Sequence, residues 1–191
     1  MNEVPPPKST NPALRDYVMV VDDVLPAEHC RRLIDRFEAM APDQLDARDE
    51  PGYSYTQLGI TNAWPDEHNL LLPVFLKHFQ DYRQTRRAFY WPANISYEHL
   101  RVKRYLPNGR DLFTPHVDAI DKSSATRFMT AFIYLNEPAD GETVFPELDL
   151  AVAPKTGRIL SFPPLWLFPH EGRPPRLEPK YILHTYLRIG E

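Results

Sequence analysis

The sequence predicts a mainly β fold with flanking helices, and three observations carry that prediction. The hydrophobic period changes from helical to two near Tyr97. From there to the C-terminus, short apolar segments alternate with turn-forming stretches. In addition, 21 prolines stand against 7 glycines, many paired or bordering short apolar runs, as in "FPPLWLFPH" and "GRPPRLEPK". Proline lacks an N–H and clashes inside a helix, so these residues are expected outside helix interiors, at strand ends and stiff corners.

Taken in order, residues 1–16, beginning "MNEVPPPKST", read as a flexible arm without the apolar core of a signal segment. "YVMVVDDVL" is a short β-branched run, and Leu25-Pro26-Ala27-Glu28 starts a helix with proline near its first turn. Leu33, Ile34 and Phe37 recur at helical spacing to about Met40. A second helix runs from about Glu67 to Arg86, with Leu71, Val74, Phe75, His78 and Tyr82 on one face. His78 there reads as a core-edge histidine rather than a ligand. The 43–66 loop between the helices is charged, turn-rich and aromatic, and reads as a lid over a site or as a surface loop.

In "YEHLRVKRY", Tyr97, His99, Arg101, Lys103 and Tyr105 share one strand face, with Leu100 and Val102 on the other. "RFMTAFIYLN", "ETVFPE", "LAVAP", "GRILSF", "LWLFPH" and "KYILHTYLRI" follow as strands, to which "FTPHVDA" adds one if extended. Turns fall at "PNGRD", "NEPADGE", "PKTG" and "EGRPPRLEP". A closed or two-sheet β core results, without a fixed-length repeat. Residues 17–191 are expected to form one domain, with helical support over 17–92 and the β core over 93–191.

At 191 residues the chain can bury roughly 70% of its unfolded surface. A net charge of −4 makes nucleic acid an unexpected partner, since phosphate binding needs a concentrated basic surface. Arg83, Arg86 and Arg87 share a helical face that reads as solvated. No apolar run approaches a membrane span. The single cysteine, Cys30, cannot form an internal disulfide and reads as a small buried residue, consistent with a reducing cytoplasm.

Chemistry concentrates in "FTPHVDA". Residues two apart in a strand project to one face, so His116 and Asp118 can address one metal ion, and Pro115 discourages a helix there. An imidazole and a carboxylate are two corners of the facial triad of non-haem Fe(II), although one His-x-Asp alone is a weak sign. The third ligand should come from a late strand, where both His170 and His184 qualify. Lys180 opens the last strand, and a lysine entering a buried apolar strand is costly unless it meets an anion. A metal-chelating dicarboxylate needs such a pairing of triad and buried cation.

At this point "VKRYLPNGRDLFTPHVDA", "RFMTAFIYLNEPADGETVFPE", "VAPKTGRILSFP" and "FPHEGRPPRLEPKYILHTYLRI" resemble the prolyl-4-hydroxylase-type Fe(II)/2-oxoglutarate dioxygenases. The resemblance covers about residues 97–189, with a looser match at "YVMVVDDVLPAEHCRRLI". It implies a double-stranded β-helix (jelly-roll, cupin-like) core packed against the N-terminal helices. His116, Asp118 and His170 match the iron triad, and Lys180 matches the basic residue that pairs with the distal 2-oxoglutarate carboxylate. Tyr134 matches a tyrosine bonding that carboxylate, and Tyr105 one lining the co-substrate pocket. Thr130, Phe128 and Phe132 share the face of Tyr134, while His184 and Tyr186 share that of Lys180.

The resemblance implies Fe(II), 2-oxoglutarate and O2, with ascorbate as an accessory reductant, and hydroxylation of a C–H bond with release of succinate and CO2. The intact Asp118 argues for hydroxylation over halogenation. A prolyl peptide, a free amino acid or another small molecule remains the open set of substrates. Tyr53, Tyr55, Trp64 and Trp166 are candidate substrate-facing walls. Two other readings are an inactive β-helix serving as a binding module or scaffold, and an oxygenase acting on alkylated bases. Asp140-Gly141 stands where many relatives have two glycines, and the loop "LPNGRDLFTP" is longer than in many.

Overall fold

The computed structural model describes residues 13–86, 88 and 90–190. The arm expectation falls mainly on residues 1–12, outside the described residues, as does Arg87; Leu14–Tyr17 is a single 3-10 turn. Among the described residues twelve strands join one continuous antiparallel sheet. These are β1 (Met19–Val21), β2 (Asp46–Glu50), β3 (Tyr53–Gly59), β4 (Ile95–Tyr97), β5 (Arg101–Tyr105) and β6 (Phe113–His116). The others are β7 (Arg127–Tyr134), β8 (Thr143–Phe145), β9 (Leu150–Val152), β10 (Ile159–Phe162), β11 (His170–Gly172) and β12 (Lys180–Ile189). Three helices accompany them: α1 (Ala27–Glu38), α2 (Ile60–Ala63) and α3 (Pro65–Thr85).

The sheet has two four-stranded limbs, β10-β7-β12-β5 and β6-β11-β8-β9, joined through β3. It curls so that residues of both limbs line one cavity. Strand alternation decides which side chains do so. On β7, Met129, Ala131 and Ile133 face the helices, while Thr130, Phe132 and Tyr134 face the cavity. On β12, Leu183 and Leu187 face the helices, while Lys180, Ile182, His184 and Tyr186 face the cavity. The register Ile182↔Tyr134, His184↔Phe132, Tyr186↔Thr130 aligns the two inner rows. A slip by one residue would exchange core and cavity faces, so burial of the outer row enforces this register.

The helices cover the outer face of the first limb. α1 buries Cys30, Leu33 and Phe37; α3 buries Leu71, Phe75, Phe79 and Tyr82 against the same core. Glu67, buried near the start of α3, accepts from Arg32 Nε at 3.1 Å and lies 2.7 Å from His29 Nε2, which ties the two helices together. His78 is buried with Nε2 2.8 Å from Ser161 Oγ, as expected of a core histidine. α3 also carries Pro73 in its interior, against the expectation for proline. Pro73 is exposed, and burial of the apolar stripe over a 21-residue helix outweighs the lost hydrogen bond.

Several segments depart from the sequence reading. The 43–66 loop is neither lid nor loop over most of its length: it is the β2–β3 hairpin followed by α2, and β3 links the two limbs. The 17–92 segment is therefore more than helical support, since β1 and β3 both belong to the sheet. β2 is exposed throughout, so no hydrophobic period marked it. "YEHLRVKRY" breaks into β4 and β5, because residues 98–100 leave the extended ladder. "LWLFPH" contains a turn, closed by Phe168 N donating to Leu165 O, and the strand starts only at His170. Prolines 163, 164 and 169 have no N–H for a ladder across this stretch.

The loop between β5 and β6 is closed by Asp111, 5% exposed. Its carboxylate accepts from Ser54 Oγ, Asn108 Nδ2 and the Leu106 amide at 2.9–3.0 Å, which sets where β6 begins. Asp111→Ala would orphan the buried Ser54 hydroxyl and the Leu106 amide. The expected loss is about 2–4 kcal/mol of unfolding free energy in a urea titration, with an unchanged slope.

Candidate metal centre and co-substrate cavity

His116 ends β6 and is the direct cross-strand partner of His170, which begins β11. Their rings lie 4.3 Å apart. Asp118 sits two residues beyond β6 in a bend, where its amide donates to Pro164 O at 3.2 Å. Its carboxylate oxygens lie 3.4 Å from His116 Nε2 and 3.7 Å from His170 Nε2, and the three potential ligand atoms all fall within 4.8 Å of one another. The strands place the imidazoles, and the bend brings in the carboxylate.

The donor set suits a first-row divalent metal for a further reason. His116 Nδ1 donates to Thr114 O at 2.7 Å, and His170 Nδ1 donates to Phe168 O at 3.1 Å. A carbonyl can only accept, so both rings carry a proton on Nδ1 and direct Nε2 toward Asp118. Burial pushes His170 down to about 4, leaving it neutral at pH 7. Burial alone would raise the Asp118 carboxyl, yet the His116 hydrogen bond and the His170 ring hold it well below the usual carboxylate range. A neutral His170 imidazole and an ionised Asp118 carboxylate are protonation states that metal ligation requires. Phe113 stacks on His116 at 4.0 Å and Phe162 meets His170 edge-on at 4.6 Å, so the rings have little room to swing.

Lys180 lines the same cavity, 3% exposed. Its Nζ donates to Gly141 O at 2.9 Å and Arg173 O at 3.3 Å and lies 4.7 Å from the Tyr105 ring centre. Among the described residues no carboxylate lies within 4.0 Å of it. Burial lowers it to about 8, so it stays charged at neutral pH. Gly141 has φ +89°, and a Cβ there would lie 3.3 Å from Lys180 Cδ. The one glycine of Asp140-Gly141 therefore supplies both the turn and the room for lysine. Asn136 fixes the entry to β12, donating to Pro179 O at 2.7 Å and accepting from the Tyr181 amide at 2.9 Å.

Tyr105, Thr130, Phe132, Tyr134 and His184 all line the cavity, as expected. The Tyr134 hydroxyl is 2.8 Å from Thr143 Oγ1, a cavity residue that sequence reasoning missed although it shares a face with Phe145 on β8. His184 Nε2 lies 2.9 Å from Thr130 Oγ1, while its buried Nδ1 has no partner. Phe128 does not join this row. A register shift between Leu187 and Arg188 displaces it, and it packs on Trp91 at 5.0 Å instead.

A second, open chamber of about 450 Å³ adjoins the cavity and shares His116, Asp118 and His184 with it. Tyr53 and Tyr55 form one wall, stacked on Phe113 at 4.9 and 5.9 Å. The other two proposed walls fail. Trp64 is 3% exposed in the helical core, and Trp166 is 76% exposed on the 165–168 turn, outside the chamber lining. Lys103, Arg101 and Arg127 also line the chamber, and none was singled out from the sequence. For Lys103 the signal was present, since strand alternation places it on the face of Tyr105.

Residues 100–188 match the family model described as the 2OG-Fe(II) oxygenase superfamily. A curated relative, "Putative prolyl 4-hydroxylase" of Acanthamoeba polyphaga mimivirus, is 42% identical over 127 residues, covering 59% of this chain and 48% of the relative. The chain thus spans about half the length of the curated relative it matches. The viral collagen prolyl hydroxylase of Paramecium bursaria Chlorella virus-1, solved as a 2OG complex, superposes with a TM-score of 0.66 at 22% identity, covering 91% of this chain and 97% of that one. A Pseudomonas putida prolyl-4-hydroxylase gives 0.63 at 16% identity over 92% and 94%. These structures show a common fold, the double-stranded β-helix, in which the two limbs are its two facing sheets. Over residues 100–188 the chain is thus similar to the 2OG-Fe(II) oxygenase superfamily.

Proposed function

We propose that this chain is an Fe(II)- and 2-oxoglutarate-dependent dioxygenase that hydroxylates an unactivated C–H bond of a prolyl, peptidyl or free amino-acid substrate. One observation carries the reading: three converging metal donors and a buried ammonium without a carboxylate partner open onto the same cavity. A binding module has no use for that combination. The match of residues 100–188 to the superfamily model and the prolyl-hydroxylase-named relative support the same class.

In this reading His116, Asp118 and His170 would hold the iron. When bound, Fe(II) with 2-oxoglutarate and O2 supplies an oxidising power that no side chain possesses, with succinate and CO2 as by-products. Lys180 takes the distal carboxylate of 2-oxoglutarate, with Tyr105 beneath the ammonium and Tyr134 and Thr143 beside it. Phe132 and Ile182 keep the co-substrate's methylenes dry. Thr130 and His184 form the cavity wall toward the open chamber, where the substrate enters. Asp118 fills its corner of the triad with a carboxylate, which favours hydroxylation over halogenation. Ascorbate is the proposed accessory reductant. The single buried thiol, Cys30, suits a reducing cytoplasm, and among the described residues no helix is long and apolar enough to cross a membrane.

Anaerobic addition of Fe(II) and 2-oxoglutarate should produce a weak visible charge-transfer band; a reconstituted protein without it rules the reading out. Asp118→Ala should abolish that band and lower 2-oxoglutarate turnover by at least about 100-fold. Lys180→Met should retain metal binding but raise the 2-oxoglutarate half-saturation concentration by at least about 10-fold. The Lys180 ammonium is charged below about pH 8 and loses its charge as pH rises through that value. Half-saturation should therefore worsen above pH 8 in the wild type, a dependence that K180M should lack.

A further inference from the structure

Lys103, on β5, is 8% exposed and aims into the space where the enclosed cavity meets the open chamber. Among the described residues its ammonium makes no hydrogen bond and has no carboxylate within 4.0 Å; its near contact is the Tyr55 ring, 4.7 Å from Nζ. The other basic residues of the chamber each touch a carboxylate, although Arg101 and Arg127 share one. Arg48 pairs with Asp46 at 2.7 Å, while Arg101 and Arg127 pair with Glu98 at 3.3 and 2.6 Å. Lys180, deep in the enclosed cavity, at least has two carbonyls. Lys103 stands apart as a largely buried lysine with an aromatic face and no carboxylate in contact, Asp118 and Glu98 acting on it only at longer range. His184, which lines the same junction, has a buried Nδ1 with no partner among the described residues.

A largely buried lysine whose ammonium meets no carboxylate is costly, and an anion reaching it from the chamber would offset that cost. The reading proposed above already accounts for the other charges. A 2-oxoglutarate dianion, Fe(II), Asp118 and Lys180 cancel formally, which leaves Lys103 without a carboxylate of its own in the loaded site. It shares the junction with His116 and Asp118, where the oxidised C–H bond must lie. Tyr53, Tyr55 and Phe113 offer an apolar wall for a saturated stem. At about 450 Å³, the chamber falls within the range for small-molecule sites.

Resting on the dioxygenase reading, we propose that Lys103 is a second carboxylate anchor, which binds the carboxylate of the primary substrate. The substrate is then a small carboxylic acid, free amino acids included, rather than an uncharged stretch of peptide. Lys180 and Lys103 divide two carboxylates between them, the co-substrate's distal one inside and the substrate's at the junction.

The test measures succinate release by the full chain loaded with Fe(II) and 2-oxoglutarate. The probes are amino acids, short saturated carboxylic acids, the neutral amide of each, and a capped proline peptide. The expected stimulators are acids, with each matched amide half-saturating at least about 10-fold higher. In Lys103→Met and Lys103→Gln the acid's half-saturation should rise by at least about 10-fold and the acid-to-amide ratio should collapse to within about 2-fold. A purely structural role for Lys103 would weaken acid and amide alike. An acid preference that survives in both variants overturns the assignment, as does equal or better stimulation by amides or the capped peptide. A variant whose 2-oxoglutarate requirement rises in place of its acid requirement assigns Lys103 to the co-substrate and overturns it too. So does a panel without a stimulating acid in protein that consumes 2-oxoglutarate unaided. Protein that neither consumes 2-oxoglutarate nor forms the visible complex instead defeats the dioxygenase reading.

Discussion

The β6–β11 pairing sets His116 directly opposite His170, and the candidate centre depends on that single register. Two backbone carbonyls, of Thr114 and Phe168, then fix which nitrogen of each ring is free. Both carbonyls lie two residues before their histidine, so each ring is oriented by its own short segment. The remaining ligand needs no strand. Asp118 follows where β6 stops, and Pro164, on the turn leading to His170, holds its amide. The segments that supply the triad thus also hold one another, which makes the candidate metal site a property of one limb of the sheet.

The opposite limb supplies charge and shape. On β12 one face presents Lys180, Ile182, His184 and Tyr186 in succession, and β5 answers with Tyr105, Lys103 and Arg101 across the register Lys180↔Tyr105, Ile182↔Lys103, His184↔Arg101. Cations therefore run in a diagonal from the sealed end of the cavity to its mouth. Burial lowers both Lys103 and Lys180 to about 8 without discharging either at neutral pH. Burial, with the charge of Lys103 next in effect, holds His184 well below the ordinary imidazole range. His184 is thereby kept neutral as a hydrogen-bonding wall and out of the ligand set, its Nε2 already taken by Thr130.

How much of this was legible in the sequence follows from what each signal measures. Alternation is reliable where one strand face is core and the other cavity, so the inner row of β12 was readable residue by residue. It fails where both faces are wet, as on β2, whose hairpin read as a loop. It fails again at a register shift: Phe128 kept the period of Tyr134 but lost its place. Aromatic content alone does not say which way a ring points, and Trp64 lies in the helical core for that reason. The choice between His170 and His184 required the family resemblance, since both sit near apolar strands. Only the fold shows that one faces Asp118 across β6 and the other faces Thr130 across β7.

Lys103 shows the limit of pattern reading from the other side. Its sequence neighbours, Val102 and Arg104, are a core residue and an arginine paired with Glu38 at 2.9 Å. In that company a lysine on an alternating strand looks like one more solvated charge. The curl of the sheet turns this face inward, and the pairing of Arg101 and Arg127 to Glu98 removes the nearby acid that could have neutralised it. Glu98, three-sided by Arg101, Arg127 and Arg188, has no capacity left for a fourth cation. Asp118, the remaining acid at the junction, faces the two imidazoles of the candidate centre. An ammonium placed where each neighbouring carboxylate is already engaged can be balanced only from outside the chain, and the open chamber is the side from which that charge can arrive.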